Sequence, residues 1–160
     1  MTSTMPTTSP ASGTADSVFP ALEALLPLVQ KPIQYVGGEV NAVTTDWDEA
    51  DVRWALMYPD AYEVGAPNQG VQILYEVLNE QPGVLCERTY AVWPDLEALM
   101  RQHGVPQFTV DAHRPVGAFD LLGLSFSTEL GYTNMLTSLD LAGIPLMAHE
   151  RGDHHPLVVM

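Results

Sequence analysis

Apolar residues between positions 52 and 160 occur alternately in short continuous runs and at helical spacing, which predicts strands and helices in turn. The runs cover residues 53–58, 84–92, 121–126 and 157–160. Between them, apolar residues recur at i, i+3, i+4 and i+7, as on one face of a helix. Short apolar strands joined by one-sided helices form right-handed crossovers and a parallel sheet. We therefore predict an α/β domain over 52–160 with a doubly wound, mostly parallel sheet.

The N-terminal third follows a different pattern. Residues 1–18 are mainly Ser, Thr, Pro, Ala and Gly, which predicts a disordered tail. Apolar residues at helical spacing predict a short helix over 19–28. Two β-prone runs on either side of Gly37 and Gly38 predict a hairpin over 33–43. Residues 19–51 are thus expected to form a helix and hairpin extension of the domain.

The last predicted strand stops at Met160, without a following turn or helix. We therefore expect the sheet to be incomplete at its C-terminal side and the chain to be a fragment of a longer protein. Such a sheet exposes apolar surface, so the isolated chain is expected to associate or to be marginally stable.

Composition narrows the range of functions. The 160 residues are 46% hydrophobic, which suits one domain with a sizeable core. Twenty acidic residues against six basic ones give a net charge of −14, which argues against direct nucleic-acid binding and against docking on anionic membranes. No apolar stretch is long enough to span a membrane, and no signal peptide begins the chain. One cysteine, Cys86, allows no intrachain disulfide, and we expect a cytoplasmic protein.

Two polar segments follow predicted strands, at the edge where parallel sheets bind ligands. Residues 58–70 contain neither a Gly-x-Gly-x-x-Gly nor a Walker lysine, so this segment is either an anion-binding loop or a plain connection. In residues 124–134, helix capping accounts for only one or two of the polar side chains. The candidate ligand-binding residues are Tyr62, Glu63, Asn68 and Gln69 in the first segment, and Ser125, Ser127, Glu129 and Asn134 in the second. We expect the two segments to converge on a single crevice.

Other chemistry-bearing residues favour structural roles. Residues 111–117 are similar to the Asp-x-His-x-x-Gly signature of cobalamin-binding domains, but the spacing is one residue too long and the position in the fold differs. His113 is therefore predicted to be a surface loop residue. The histidines within 149–155 lack i, i+4 spacing, so we predict a solvated loop without a metal. Cys86 lies in a strand and is predicted to be a core residue.

Several ordered blocks of sequence carry a resemblance to a known family. The blocks are Tyr35–Asn41, Tyr58–Gly65, Gln72–Tyr75, Tyr90–Asp95 and Phe126–Asn134. Together they resemble the N-terminal part of a bacterial radical S-adenosylmethionine (radical SAM) protein family, over about residues 31–160. The resemblance implies a Rossmann-like, cobalamin-binding-like module that precedes a radical domain. In that domain a Cys-x-x-x-Cys-x-x-Cys motif holds a four-iron cluster that binds S-adenosylmethionine.

The chain departs from that family at two points. It has no cysteine triplet, so no catalytic residue can be assigned, and the iron–sulfur cluster and S-adenosylmethionine are expected only in a C-terminal part that this sequence lacks. It also lacks the cobalamin histidine, so any cobalamin would bind through the loops at the sheet edge and through the neighbouring domain.

Two functional hypotheses remain. In the first, the chain is an accessory module of a radical SAM enzyme, inactive alone, which shapes the active site and binds cobalamin or substrate. Its partners would be the radical domain and a small-molecule ligand. In the second, it is a non-catalytic interaction module that binds another protein through its acidic face. A flavodoxin-like electron carrier is disfavoured, because Pro59–Tyr62 brings an acid to the position of a phosphate.

Overall fold

A parallel β-sheet forms the centre of the computed structural model, which describes residues 16–43 and 45–160. Within these residues the sheet has four strands: β1 (Val52–Ala61), β2 (Val84–Ala91), β3 (Leu121–Leu124) and β4 (Leu157–Val159). Their order is β2-β1-β3-β4, and every pairing is parallel. The predicted α/β class and the parallel sheet are confirmed.

Five helices accompany the sheet in the described part of the chain: α1 (Phe19–Glu23), α2 (Tyr62–Gly65), α3 (Gln69–Asn79), α4 (Pro94–His103) and α5 (Tyr132–Leu141). Single 3-10 turns lie at Leu26–Leu28, Pro32–Tyr35, Val116–Ala118, Glu129–Gly131 and Ala148–Glu150. None of these helices has the length and apolar character that a bilayer crossing requires.

The helices cover both faces of the sheet. Leu56 and Tyr58 of β1 pack in one cluster with Val71 and Tyr75 of α3. Ala55 and Met57, which point to the opposite face because strand side chains alternate, pack with Leu139 of α5. A third cluster joins α4 to the N-terminal segment. This arrangement of layers confirms the doubly wound architecture.

The hairpin predicted over 33–43 is absent from the described residues. Pro32–Tyr35 is a 3-10 turn, and no strand follows it before β1. Contacts with the loop after α4 replace the expected strand pairing. The Tyr35 carbonyl lies 2.8 Å from Nε2 of His113, and Gly37 packs so closely that an added Cβ would lie 2.3 Å from the carbonyl oxygen of Val110. Tertiary contacts therefore satisfy this segment without a cross-strand partner.

Helical spacing of apolar residues predicts that Tyr132, Met135, Leu136 and Leu139 form the buried face of α5. Met135 and Leu139 do pack inward, but Tyr132 and Leu136 are exposed. Ser138 is buried in their place, because the face that meets the sheet is rotated toward Leu139 and Ala142. Of the tail predicted over 1–18, residues 1–15 lie outside the described residues.

Candidate functional site

The two polar segments predicted at the sheet edge do come together. The Tyr58 hydroxyl lies 3.1 Å from Oγ of Ser127, and Nδ2 of Asn134 donates to the carbonyl of Pro59 at 3.2 Å. Both contacts join the end of β1 to the segment after β3. The convergence on one edge follows from the parallel pairing of these two strands.

The crevice between these segments is small. Its lining includes Tyr58, Asp60, Ser125, Ser127 and Gly131, and its volume is about 10 Å³. That volume accommodates about one water molecule. Gly131 lies against Pro59, where an added Cβ would approach to 2.9 Å, so the two segments are already packed together. In this shape the crevice has no room for an organic ligand.

The candidates in the first segment are held by structural contacts. Oδ1 of Asn68 accepts a hydrogen bond from the Val71 amide at 3.1 Å, and this bond caps α3. Gln69 is the first residue of that helix and is exposed. Glu63 pairs with Lys31 at 2.7 Å on the surface. Tyr62 packs edge-to-face against Tyr90 of β2, with ring centroids 5.5 Å apart. Thus Tyr62 and Glu63 contact other parts of the molecule and not the crevice.

The candidates in the second segment lie at the surface. Ser125 lines the crevice, and Glu129 is exposed in the turn before α5. Leu130 is 82% exposed beside it, and the half-exposed Tyr132 packs on Phe126 with ring centroids 4.5 Å apart. This part of the edge therefore presents apolar as well as polar groups.

Sequence reasoning missed a buried charge network around β2. Arg88 donates to Asp111 through Nη2 at 2.6 Å and pairs with Glu39 through Nη1 at 2.9 Å. Its guanidinium also lies 4.3 Å from the ring centroid of Tyr75. A pair of adjacent charged residues, Glu87-Arg88, inside a predicted buried strand was the available signal, since buried charges need partners.

The opposite face of β2 carries a second pair. Glu87 is paired with Arg114 and accepts a hydrogen bond from Oγ1 of Thr109 at 2.6 Å. Burial raises the pKa of the Glu87 carboxyl, and the hydrogen bond from Thr109 and the charge of Arg114 oppose this rise. The Arg114 guanidinium also packs on Trp47 at 4.9 Å.

A larger cavity opens beside α3, over the Arg88 network. Its volume is about 530 Å³, and its lining is Glu39, Val40, Asn41, Val43, Ala66, Gln72, Tyr75, Glu76 and Arg88. Burial and the nearby Glu39 carboxylate raise the pKa of Tyr62 to about 12. The cavity could not be predicted from the sequence. Residues 39–43 form one wall of it, and they were expected to pair in a hairpin over 33–43 instead.

Neither Cys86 nor Nε2 of His113 is available as a ligand for an iron–sulfur cluster or for cobalt. The chain's one cysteine, Cys86, is fully buried, and burial raises the pKa of the thiol. His113 is not the surface residue that was predicted: it is buried, and its Nε2 contacts the Tyr35 carbonyl, which leaves that nitrogen unavailable to a metal. In the described residues no group of three His, Cys, Asp or Glu side chains could hold a metal ion.

Comparison with models of known protein families identifies a match. The model of a family described as radical SAM proteins, N-terminal, matches residues 70–160, which is more than half of the chain. The match runs from α3 to β4 and includes the buried pairs of β2. No curated protein and no solved structure matches the chain.

Proposed function

The chain belongs to the radical SAM N-terminal family, and from this premise we propose that it is a non-catalytic accessory module that packs against a radical SAM domain. The absence of a cysteine triplet from its sequence supports an accessory role, because a four-iron cluster needs three thiolates from the protein in this class of enzyme. Such a module needs a surface that contacts the radical SAM domain.

One apolar surface carries the proposal. On the outer side of α3, Ile73, Leu74 and Val77 are 60%, 44% and 47% exposed. Leu74 also borders a groove of about 180 Å³ on the sheet, which we call the apolar groove. It is lined by Trp54, Leu56, Leu74, Gly123, Leu124, Ser125, Val159 and Met160. Ile73, Leu74 and Val77, which we call the α3 stripe, are therefore continuous with the apolar groove.

This surface suits a helix from another domain. A parallel sheet is normally covered on both faces, and α3 covers this face mainly over β1 and β2. A helix laid beside α3 would cover β3 and β4 and bury the exposed leucine and valine side chains. Burial of apolar surface contributes about 25 cal/mol per Å². A second copy of the chain is a poorer occupant, because two bodies of net charge −14 repel each other.

The sheet edge extends the same surface. Ser125 lines both the small crevice and the apolar groove. We place Ser127, Glu129 and the exposed Leu130 at the margin of the interface, where polar groups hydrogen-bond to the partner. The proposal includes no role for cobalamin, because the crevice is the size of one water molecule and Nε2 of His113 contacts the Tyr35 carbonyl.

Site-specific photo-crosslinking in the cells that make the protein tests this docking. A photoreactive phenylalanine analogue replaces Leu74 or Val77, and Ile33, an exposed apolar residue outside the apolar groove, serves as the control position. We expect the first two positions to form crosslinks to a peptide whose polypeptide carries a Cys-x-x-x-Cys-x-x-Cys motif, whether on the same chain or on a separate one.

Mass spectrometry of the crosslinked peptides distinguishes the outcomes. Crosslinks to a cysteine-triplet domain from Leu74 and Val77, and not from Ile33, support the proposal. Crosslinks only between two copies of this chain, only to proteins without the triplet, or equally from all three positions would contradict it.

A further inference from the structure

The cavity over Arg88 has the dimensions of a small-molecule site. Its volume of about 530 Å³ lies within the range of ligand pockets, roughly 300–1,000 Å³. Val43 and Ala66 give it apolar wall area, and the exposed Val40 lies at its rim. It lies on the side of α3 where Gln72 and Glu76 project, whereas the apolar groove lies on the side of Leu74. The two surfaces are therefore separate.

The Arg88 and Gln72 donors of the lining are already committed. Arg88 donates to Asp111 and Glu39, and its face covers Tyr75. The side-chain amide of Gln72 donates to the Ala66 carbonyl at 2.9 Å. The guanidinium at the floor is thus neutralised by two carboxylates and offers little to an incoming anion.

Acceptors remain open. Among residues 16–43 and 45–160, Oε1 of Glu39 is buried and has no hydrogen-bond partner. Gln72 and the exposed Glu76 also border the cavity, and both side chains carry acceptor oxygens. A buried acceptor without a partner costs roughly 1–3 kcal/mol, and more when it is charged, so a ligand that donates to it recovers that free energy.

The charges around the cavity also favour a ligand that donates hydrogen bonds. Three carboxylates, Glu39, Glu76 and Asp111, lie around the single guanidinium of Arg88. Beside this group, the hydroxyl of the buried Tyr90 is a further polar atom without a hydrogen-bond partner in the described part of the chain. Positive charge is therefore favoured in the cavity and negative charge is disfavoured.

We propose that this cavity binds a small organic cation, a primary amine or guanidinium on an apolar body, whose N–H groups donate to Glu39 and Glu76. The apolar body would lie against Val43 and Ala66. The inference does not require that the apolar groove be an interface, so each proposal can fail without the other.

Three probes with one carbon skeleton test the proposal on the full chain. They are 2-phenylethylamine, which is cationic, 2-phenylethanol, which is neutral, and phenylacetate, which is anionic. Calorimetric or NMR titration should show saturable binding of the amine, binding of the alcohol weaker by about tenfold, and the weakest binding for phenylacetate, because only the amine makes charge-assisted hydrogen bonds.

Matched variants locate the site. Glu39→Gln should weaken amine binding by about tenfold and leave alcohol binding unchanged, since Gln removes the charge but keeps a similar shape. Glu76→Gln, at an exposed position where folding is not at risk, should weaken amine binding to a smaller extent. Glu80→Gln changes the same net charge one turn further along the chain, outside the cavity, and should leave amine binding at the wild-type level.

A thermal melt of each variant confirms that it is folded before binding is interpreted. Absence of saturable amine binding to the wild-type chain would overturn the proposal. So would phenylacetate binding as tightly as the amine, or an equal effect of Glu76→Gln and Glu80→Gln. If Glu39→Gln does not fold, the contrast between Glu76→Gln and Glu80→Gln decides the question.

Discussion

Individual residues of β2 reach both faces of the sheet with opposite charges. Glu87 meets Arg114 on one face, and Arg88 meets Asp111 on the other. Both counterions come from the loop after α4, whose Val110 amide also donates to the Arg88 carbonyl at 2.8 Å along the edge of β2. Because loss of one partner of a buried pair costs about 3–5 kcal/mol, this loop is bound to the sheet by charge as well as by backbone hydrogen bonds.

Substitutions of two adjacent glycines test the packing of residues 35–38 against the loop after α4. Gly37 and Gly38 both have positive φ, 64° and 78°, so alanine is strained at either position by about 1–2 kcal/mol. At Gly37 the new Cβ would also meet the Val110 carbonyl at 2.3 Å, whereas open space surrounds Gly38. We expect Gly37→Ala to lower the free energy of unfolding in urea clearly more than Gly38→Ala does.

Gly38→Ala is the control, because it carries the backbone strain without the clash. Equal losses for the two variants would show that residues 35–38 do not pack on the loop after α4, so that this packing could not explain why no hairpin forms.

At the scale of elements, local signals explain what the sequence predicts well. The strands β1 to β4 follow from apolar runs, and α4 from Pro94 at its first position and Gly104, at φ 68°, after its end. The hairpin fails because its two β-prone runs find tertiary partners instead of each other. The buried ion pairs could not be predicted, because Asp111 and Arg114 lie more than 20 residues from their partners and sequence spacing carries no information on such contacts.

The candidate site, too, could be predicted only in part from the sequence. That the ends of β1 and β3 lie at one edge follows from parallel topology alone, and the contact between Tyr58 and Ser127 confirms it. Which polar groups are free at that edge depends on side-chain partners. Asn68 and Asn134 are engaged in a helix cap and a bond to the Pro59 carbonyl, and residue type alone does not reveal this.

Substitution of Asn68 tests its role as the N-cap of α3. Asn68→Ala removes the acceptor for the Val71 amide and should lower the free energy of unfolding by about 1 kcal/mol, whereas Asn68→Asp should keep most of it. Urea unfolding followed by circular dichroism measures both. If Asn68→Ala is as stable as the wild type, the cap is not the role of this residue, and a ligand-facing role becomes the better hypothesis.

Across the whole molecule, α3 separates two surfaces of opposite character. On one side lies the acidic cavity over Arg88, and on the other lie the α3 stripe and the apolar groove. The proposed small-molecule site and the proposed docking face therefore do not overlap. The net charge of −14 makes copies of the chain repel each other but leaves the apolar groove uncovered.

That uncovered surface predicts how the isolated chain behaves in solution. Since contiguous exposed apolar patches drive association, we expect sedimentation velocity to show weak, concentration-dependent self-association that increases with salt, because salt screens the repulsion between acidic copies. The double variant Leu74→Glu, Val77→Glu should sediment as a monomer at the same concentrations. Ile33→Glu removes an exposed apolar side chain outside the apolar groove and should associate like the wild type. A wild-type chain that is monomeric at every concentration and salt level would show that the α3 stripe is too small to drive association, and the case for it as a docking face would then rest on the crosslinking result alone.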